Sequence, residues 1–338
     1  MDTSAMARQG IRAAILIALV FALLFVLTFT GVMKCSQLPL AGEAWCDAYW
    51  GIKTFATGGP KVLIVYGDSG LGNPVITGNG LEDNGSLEYL LADPSLLSVH
   101  ADKQHVNNVS YGVLKNYDIV IVDRAREIET KQLRAFIDYA TNPTGGVLIW
   151  TGDAGTKLGP HDHLLYTKDK NPEDDTNRAL GPWSRRDGDY MVSFDELLGV
   201  KPVDTNQVTF CDMVNCIEGK PILAGTMQTE PSGNHPLIIG ISRALPVYIF
   251  KGQDFAVVET LSGGITNEVL SLDFGTEMSR PGYDLNTSVP LIVTSGIGER
   301  IIYYALPLEY YANPRLAEAG KGIYMLPIEN MYYGTIKG

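Results

Sequence analysis

Between Ala13 and Met33 the chain carries no charged residue, and Ala13 to Leu27 is apolar without interruption. A helix rises about 1.5 Å per residue, so a segment of this length spans roughly 30 Å, the thickness of a bilayer's hydrocarbon core. A cleaved signal peptide has an apolar region of only about 7–15 residues that ends on small residues. Here the run is longer and closes on Val32-Met33-Lys34 with no Ala-x-Ala pattern, and Lys34 occupies the place before Cys35 where a lipoprotein signal needs a small residue. The sequence therefore predicts a retained transmembrane helix over 13–33 that meets the lipid bilayer, preceded by a short segment 1–12 and followed by a water-soluble domain.

Arg8 and Arg12 precede the helix and Lys34 follows it, so the excess of cations puts residues 1–12 in the cytoplasm and the domain outside it. The four cysteines fall into two close pairs, Cys35 with Cys46 and Cys211 with Cys216, a distribution suited to disulfides in an oxidising space. Asn84, Asn108 and Asn286 each open an acceptor sequon, which fits the same side. The first 34 residues carry a net +2 out of a total of −12, which leaves −14 for the remainder. Such a domain repels nucleic acid and anionic headgroups, so nucleic-acid binding is not expected.

After a juxtamembrane segment, 34–59, Lys61 to Tyr66 reads as a strand buried on both faces, followed by Asp118 to Asp123 and Gly146 to Thr151. Between them, Asp83 to Leu91 and Glu129 to Ala140 have helical apolar spacing, with Leu87, Leu90 and Leu91 inward in the first and Leu133, Phe136, Ile137 and Ala140 in the second. This alternation is that of a parallel sheet with covering helices, an α/β core. From Gly152 to about Gly233 the chain turns polar and irregular, an insertion held by the Cys211–Cys216 loop. Closely spaced apolar runs, Leu245–Phe250, Phe255–Glu259, Val269–Asp273, Pro290–Thr294 and Arg300–Ala305, predict antiparallel hairpins, and 313–338 forms a tail whose end, Tyr332 to Lys337, is apolar enough to dock on a neighbour.

The run Tyr117 to Asp123, the helix opening near Thr130 and Gly145 to Trp150 resemble the core of class I glutamine-amidotransferase-like domains. Asn234 to Gly240 and Ile301 to Glu309 resemble that superfamily's sugar-utilisation and transporter-associated branches. The resemblance spans roughly residues 60–312 and implies a flavodoxin-like sheet with its ligand site at the carboxyl ends of the strands. In the catalytic members a cysteine nucleophile sits on a tight turn with a histidine nearby. The corresponding turn here, Trp150 to Gly155, has no cysteine, so the resemblance implies a non-catalytic member that serves as a binding or accessory subunit alongside other envelope proteins.

Gly67-Asp-Ser-Gly70, directly after the first strand, admits two readings. As a binding turn, Gly67, Asp68, Ser69 and Gly70 seat a ligand together with Asp123 and Asp153. As a GDS-type esterase block, Ser69 is the nucleophile, His235 its base and Asp153 or Asp123 the orienting acid, although the usual acid-to-histidine spacing near the C-terminus is absent. The glycines match neither a P-loop nor a dinucleotide fingerprint, and no motif calls for a cofactor. His161-Asp-His163 is a weak metal candidate, more simply read as a solvated loop.

Overall fold

The computed structural model describes residues 3–29, 42–57, 59–71, 76–77, 80–81, 86–142, 145–162, 183–187, 190–204, 208–214, 216–218, 220–229, 235–241, 245–249, 251, 254–262, 265–274, 288–311 and 326–337. The chain divides into two compact units, Met1–Gly59 with Lys337–Gly338, and Pro60–Ile336.

The first unit contains helices α1 (Thr3–Phe29) and α2 (Gly42–Thr57). Within α1, Ile11–Thr28 is long and apolar enough to cross a membrane, compatible with an anchor or a signal sequence. Cys46 lies buried on α2. Its expected partner Cys35 lies outside the described residues.

The second unit is built on a nine-stranded sheet. Its strands in chain order are β1 (Val62–Tyr66), β2 (Ala101–His105), β3 (Ile119–Val122), β4 (Val147–Thr151), β5 (Ile222–Thr229), β6 (Leu245–Ile249), β7 (Thr266–Asp273), β8 (Ser288–Ser295) and β9 (Ile301–Tyr304). Across the sheet they run β6-β5-β7-β8-β9-β4-β3-β1-β2. The five strands from β9 to β2 are parallel, and the four pairings from β9 to β6 are antiparallel. Taken in chain order, the parallel strands stand 2-1-3-4-5, the flavodoxin-like arrangement, and strand order reverses between β1 and β3.

The expected strands are present in part, with two changes of role. The run Phe255–Glu259 yields only Val258–Thr260, which pairs with Val200–Pro202 in a separate two-stranded sheet, because the local apolar pattern does not encode its distant partner. Arg300–Ala305 was expected as a hairpin strand, and β9 is antiparallel to β8 but parallel to β4, so it closes the parallel sheet. Two strands carry no sequence signal. β2 is Ala-Asp-Lys-Gln-His, a polar edge strand with only partial burial. An edge strand bonds on one side only, which frees its side chains from apolar packing. β5 falls inside the expected insertion, so the sheet resumes at Ile222 rather than after residue 233.

Among the helices, α3 (Leu87–Ala92) is capped by Ser86, whose hydroxyl accepts from the Tyr89 amide, and buries Leu87, Leu90 and Leu91 as expected. A short α4 (Tyr111–Leu114) leads into β3. α5 (Thr130–Thr141) buries Leu133, Phe136 and Ala140. Its first amide is capped from a distance: Asp162 Oδ2 accepts from Thr130 N–H at 3.0 Å. Behind Asp162 lies Arg185, 1% exposed. Its guanidinium donates to Gly155 O at 2.7 Å, to Lys157 O at 3.2 Å and to Ile128 O, and stands 3.3 Å from Asp162. A buried cation survives because every face of it is paired. The start of the polar region is thus tied to the core by Arg185, as well as by Trp150 and Trp183, both of which donate to Ala154 O. Farther on, α6 (Phe194–Leu198) and α7 (Phe210–Val214) follow, and the Cys211–Cys216 disulfide closes the latter with Cα atoms 5.0 Å apart.

α8 (Leu308–Tyr311) comes directly after β9. The expected tail ends in a helix, α9 (Leu326–Lys337), that docks on its own chain. Ile328 and Met331 are buried, and Asn330 donates to Ile239 O at 2.8 Å.

Gly146 marks the tightest packing beside the sheet. A Cβ there would lie 2.1 Å from Asp118 O and 2.2 Å from Tyr139 Oη, whose hydroxyl is committed to Tyr117 O. Gly146→Ala is expected to destabilise the second unit by at least ~2 kcal/mol, because both neighbours are held in place. A denaturant midpoint unchanged by this substitution would contradict the packing.

Candidate functional site

Three turns leave the carboxyl ends of β1, β3 and β4 and hold one another. Gly67 N–H donates to Arg124 O at 2.8 Å, and Arg126 N–H donates to Ser69 O at 2.8 Å, which zips the first two turns together. Leu71 N–H donates to Asp153 Oδ1 at 2.7 Å, and Arg126 Nε stands 3.4 Å from Asp153 Oδ2. Gly155 N–H donates to Ala125 O at 2.8 Å and so brings the third turn in. Gly70 has φ +126°, and a Cβ there would lie 3.0 Å from Arg126 N and 3.1 Å from Asp153 Oδ1. Only glycine fits that conformation at that distance. Among the described residues, the amides of Asp68, Ser69 and Gly70 have no hydrogen-bond partner.

The candidate ligand residues therefore converge: Gly67, Asp68, Ser69 and Gly70 lie on one turn, Asp153 braces it, and Asp123 opens the turn beside it. A cavity of about 560 Å³ is lined by Tyr66, Asp123 and Arg124 at the strand ends, by Lys103 of β2 and by α3; of the six candidate residues Asp123 lines it, and the Gly67–Gly70 turn and Asp153 do not. This is the point where strand order reverses, the place at which open α/β sheets seat ligands. Arg124 holds φ +48°, a strained conformation for a non-glycine residue, and its Nε is buried without a partner among the described residues.

The floor of this region is acidic. Burial pushes the Asp123 carboxyl up to about 7, against the opposing pull of Thr151 and Arg124. Thr151 Oγ1 is 2.9 Å from Asp123 Oδ1 and 3.1 Å from Val122 O. A hydroxyl has one proton, so a neutral Asp123 that donates to Thr151 leaves that hydroxyl free to donate to Val122 O. Glu309 of α8 is 1% exposed, and neither of its carboxyl oxygens has a partner among the described residues. Burial, reinforced by the charge of Asp123, raises it well above the usual carboxylate range. Asp153 is also raised by burial, although the Leu71 amide and Arg126 pull the other way. The hydroxyls of Tyr304 and Tyr311, both fully buried, likewise have no partner among the described residues. The carboxyls of Asp123, Asp153 and Glu309 are thus all held above the usual carboxylate range at one end of the sheet.

Three features were missed from sequence: Glu309, Arg124 and His105. Glu309, an acid within the apolar run Leu306 to Tyr311, carried the one available signal. Tyr310 and Tyr311, the last two residues of the same short helix, are core residues. His105 ends β2 and places Nε2 3.2 Å from Asp68 Oδ1.

The serine-hydrolase set does not assemble. His235 pairs with Glu299 at 3.1 Å, and Glu299 precedes β9, at the amino-terminal end of the sheet. Ser69 lies past the carboxyl-terminal end of β1, and Asp153 is bound to Leu71 and Arg126. His161 pairs with Glu129 in an exposed position, and His163 lies outside the described residues. No group of three metal-ligating side chains occurs among the described residues. Asn108 is exposed just after β2, whereas Asn84 and Asn286 lie outside the described residues. Among the described residues of the second unit, Cys211 and Cys216 are bonded to each other, and no cysteine occupies the turns after β1, β3 and β4.

No protein-family model and no curated protein matches the chain. Among solved structures it is similar to a ThuA-like protein from Bacteroides uniformis, at 15% identity and a TM-score of 0.45, covering 81% of this chain and 90% of that one. It is also similar to a β-galactosidase from Rahnella sp. R3, at 13% identity and a TM-score of 0.39, covering 83% of this chain and 35% of that one. At such identity and superposition neither carries chemistry across to this chain.

The acids make stability depend on pH. Because the folded carboxyl of Asp123 titrates near 7, above its unfolded value near 4, its contribution is fully present below about 4 and lost as pH rises through about 7. Asp254, raised by burial to about 6, acts in the same direction. Thermal melting of the full chain in detergent is expected to fall from pH 5 to pH 8. Asp123→Asn should reduce that slope, by up to a few kcal/mol across the window. A slope equal to that of the unsubstituted chain would show Asp123 ionised throughout.

Proposed function

We propose that this chain is a membrane-tethered extracytoplasmic domain acting as a binding or accessory subunit of an envelope membrane complex, with an amidotransferase-like fold and no amidotransferase chemistry. The observation that carries the reading is the position of the cavity, at the reversal of strand order between β1 and β3, next to a turn with unpartnered amides and with no free cysteine among the described residues. In this reading Gly67, Asp68, Ser69, Gly70, Asp123 and Asp153 form the ligand seat, and α1 anchors the domain. Arg8 and Arg12 ahead of the apolar run support a cytoplasmic N-terminus, and the Cys211–Cys216 disulfide supports an oxidising space for the rest. Strain at Arg124 and unsatisfied buried acids are costs that a fold tolerates where a ligand offsets them.

The test is purification of the chain from its native membranes in mild detergent, with mass spectrometry of what accompanies it. Stoichiometric co-purifying subunits are the expected result. A single species at full recovery would overturn the accessory-subunit reading.

A further inference from the structure

The first unit carries an interaction surface of its own. Trp45 Nε1 on α2 donates to Thr28 Oγ1 at 3.0 Å, and the Thr28 hydroxyl donates to Leu24 O at 2.9 Å. The Trp45 ring meets Phe21 edge-on with centroids 5.1 Å apart, and Tyr49 meets Phe25 at 5.4 Å. Phe21, Phe25 and Thr28 all belong to the apolar stretch Ile11–Thr28. One side of α2 is therefore committed to the last two turns of that stretch, a length of about 10 Å at the rise of an α-helix.

An adjoining flank of α2, next to Trp45, has no partner in the described unit. Ala44, Ala48, Gly51 and Ile52 are exposed, Ile52 at 55%, and their spacing puts them on one helical face. That flank is apolar and small, and by the same spacing Asp47 and Glu43 fall on the side of α2 turned away from α1. A helix packed along the end of a membrane span stays within about 10 Å, one helix diameter, of lipid. Its sequence also contains Glu43, Asp47 and Lys53, which are too costly for the middle of the hydrocarbon. Those charges and the aromatic residues together fit the boundary between acyl chains and headgroups, where Trp and Tyr concentrate.

We propose that α2 is an interfacial helix: its Ala44, Ala48, Gly51 and Ile52 face lies in the lipid at the carboxyl end of the α1 span, and Trp45 and Tyr49 fill the crevice between the two helices. This rests on α1 being retained as the anchor, and the experiment separates the two statements.

The full chain is reconstituted into phosphatidylcholine vesicles, either plain or brominated near the headgroup end of the acyl chains, and its tryptophan emission is compared. The chain has four tryptophans, and Trp150 and Trp183 are fully buried in the second unit, so any lipid-sensitive emission comes from Trp45 and Trp50. Loss of emission in brominated vesicles, with little loss to aqueous iodide, is the expected result. The loss should vanish in the Trp45→Phe, Trp50→Phe double variant. If that variant does not fold, the comparison on the unsubstituted chain still decides. Emission quenched by iodide but not by bromine would overturn the proposal, and so would emission blind to both, which would mean that protein covers the face. Alkaline extraction of the same vesicles reads the anchor separately. Release of the chain would overturn the anchor itself, whereas retention without bromine quenching would overturn only the placement of α2.

Discussion

Strand β9 bonds parallel to β4 along one edge and antiparallel to β8 along the other, and the rest of the second unit depends on that double pairing. All four of its residues are buried, so every amide and carbonyl in it must find a partner within the sheet. The strand joins a parallel half, which needs helices on both faces, to an antiparallel half, which needs only short turns. Because β9 runs with β4, its carboxyl end delivers α8, and with it Glu309, to the same end of the sheet as Asp123 and Asp153. Had this segment only closed a hairpin, as its spacing suggested, no acid from it would reach the site.

The carboxyl end of the parallel half is where this fold departs from the rule of paired buried polar groups. Elsewhere buried groups such as Arg185, which satisfies Ile128, Gly155, Lys157 and Asp162 together, and Asp254, which accepts from the amides of Cys211 and Phe255, are paired, while Gln132 Oε1 and Thr294 Oγ1 are isolated exceptions. At the strand ends, Glu309, Tyr304 and Tyr311 keep buried polar atoms without partners among the described residues. Protonation lowers the cost of burying an acid but leaves its hydrogen-bonding capacity unmet. The neighbouring turns are over-determined by contrast, locked by backbone hydrogen bonds and the Asp153 brace. The braced turns and the under-satisfied polar groups thus lie at the same end of the sheet.

Much of this was legible in the sequence. β1, β3 and β4 announce themselves as apolar runs because strands covered on both faces must be apolar throughout. α3 and α5 show their buried faces through helical spacing, and the turn after β1 stands out by its glycines. Less legible were β2, whose edge position removes the apolar requirement, and β5, whose Gly225 and mixed polarity blend into the polar region before it. The serine-hydrolase arrangement failed for a related reason. His235 and Ser69 are compatible in type, but whether they meet depends on which end of the sheet each segment reaches.

What the sequence determined by itself is whatever depends on local composition: the apolar helix, the α/β alternation, the absence of a cysteine on the turn after β4, and the candidate turn at Gly67–Gly70. These follow from transfer energies and short-range sterics, which act over a few residues. Tertiary structure alone decided the direction of β9, the convergence of Asp123, Asp153 and Glu309, the capping of α5 by Asp162, and the packing of α2 against α1. Each of these joins segments distant in the chain through backbone hydrogen bonding or shared burial, and no local pattern encodes which distant partner a buried group will find.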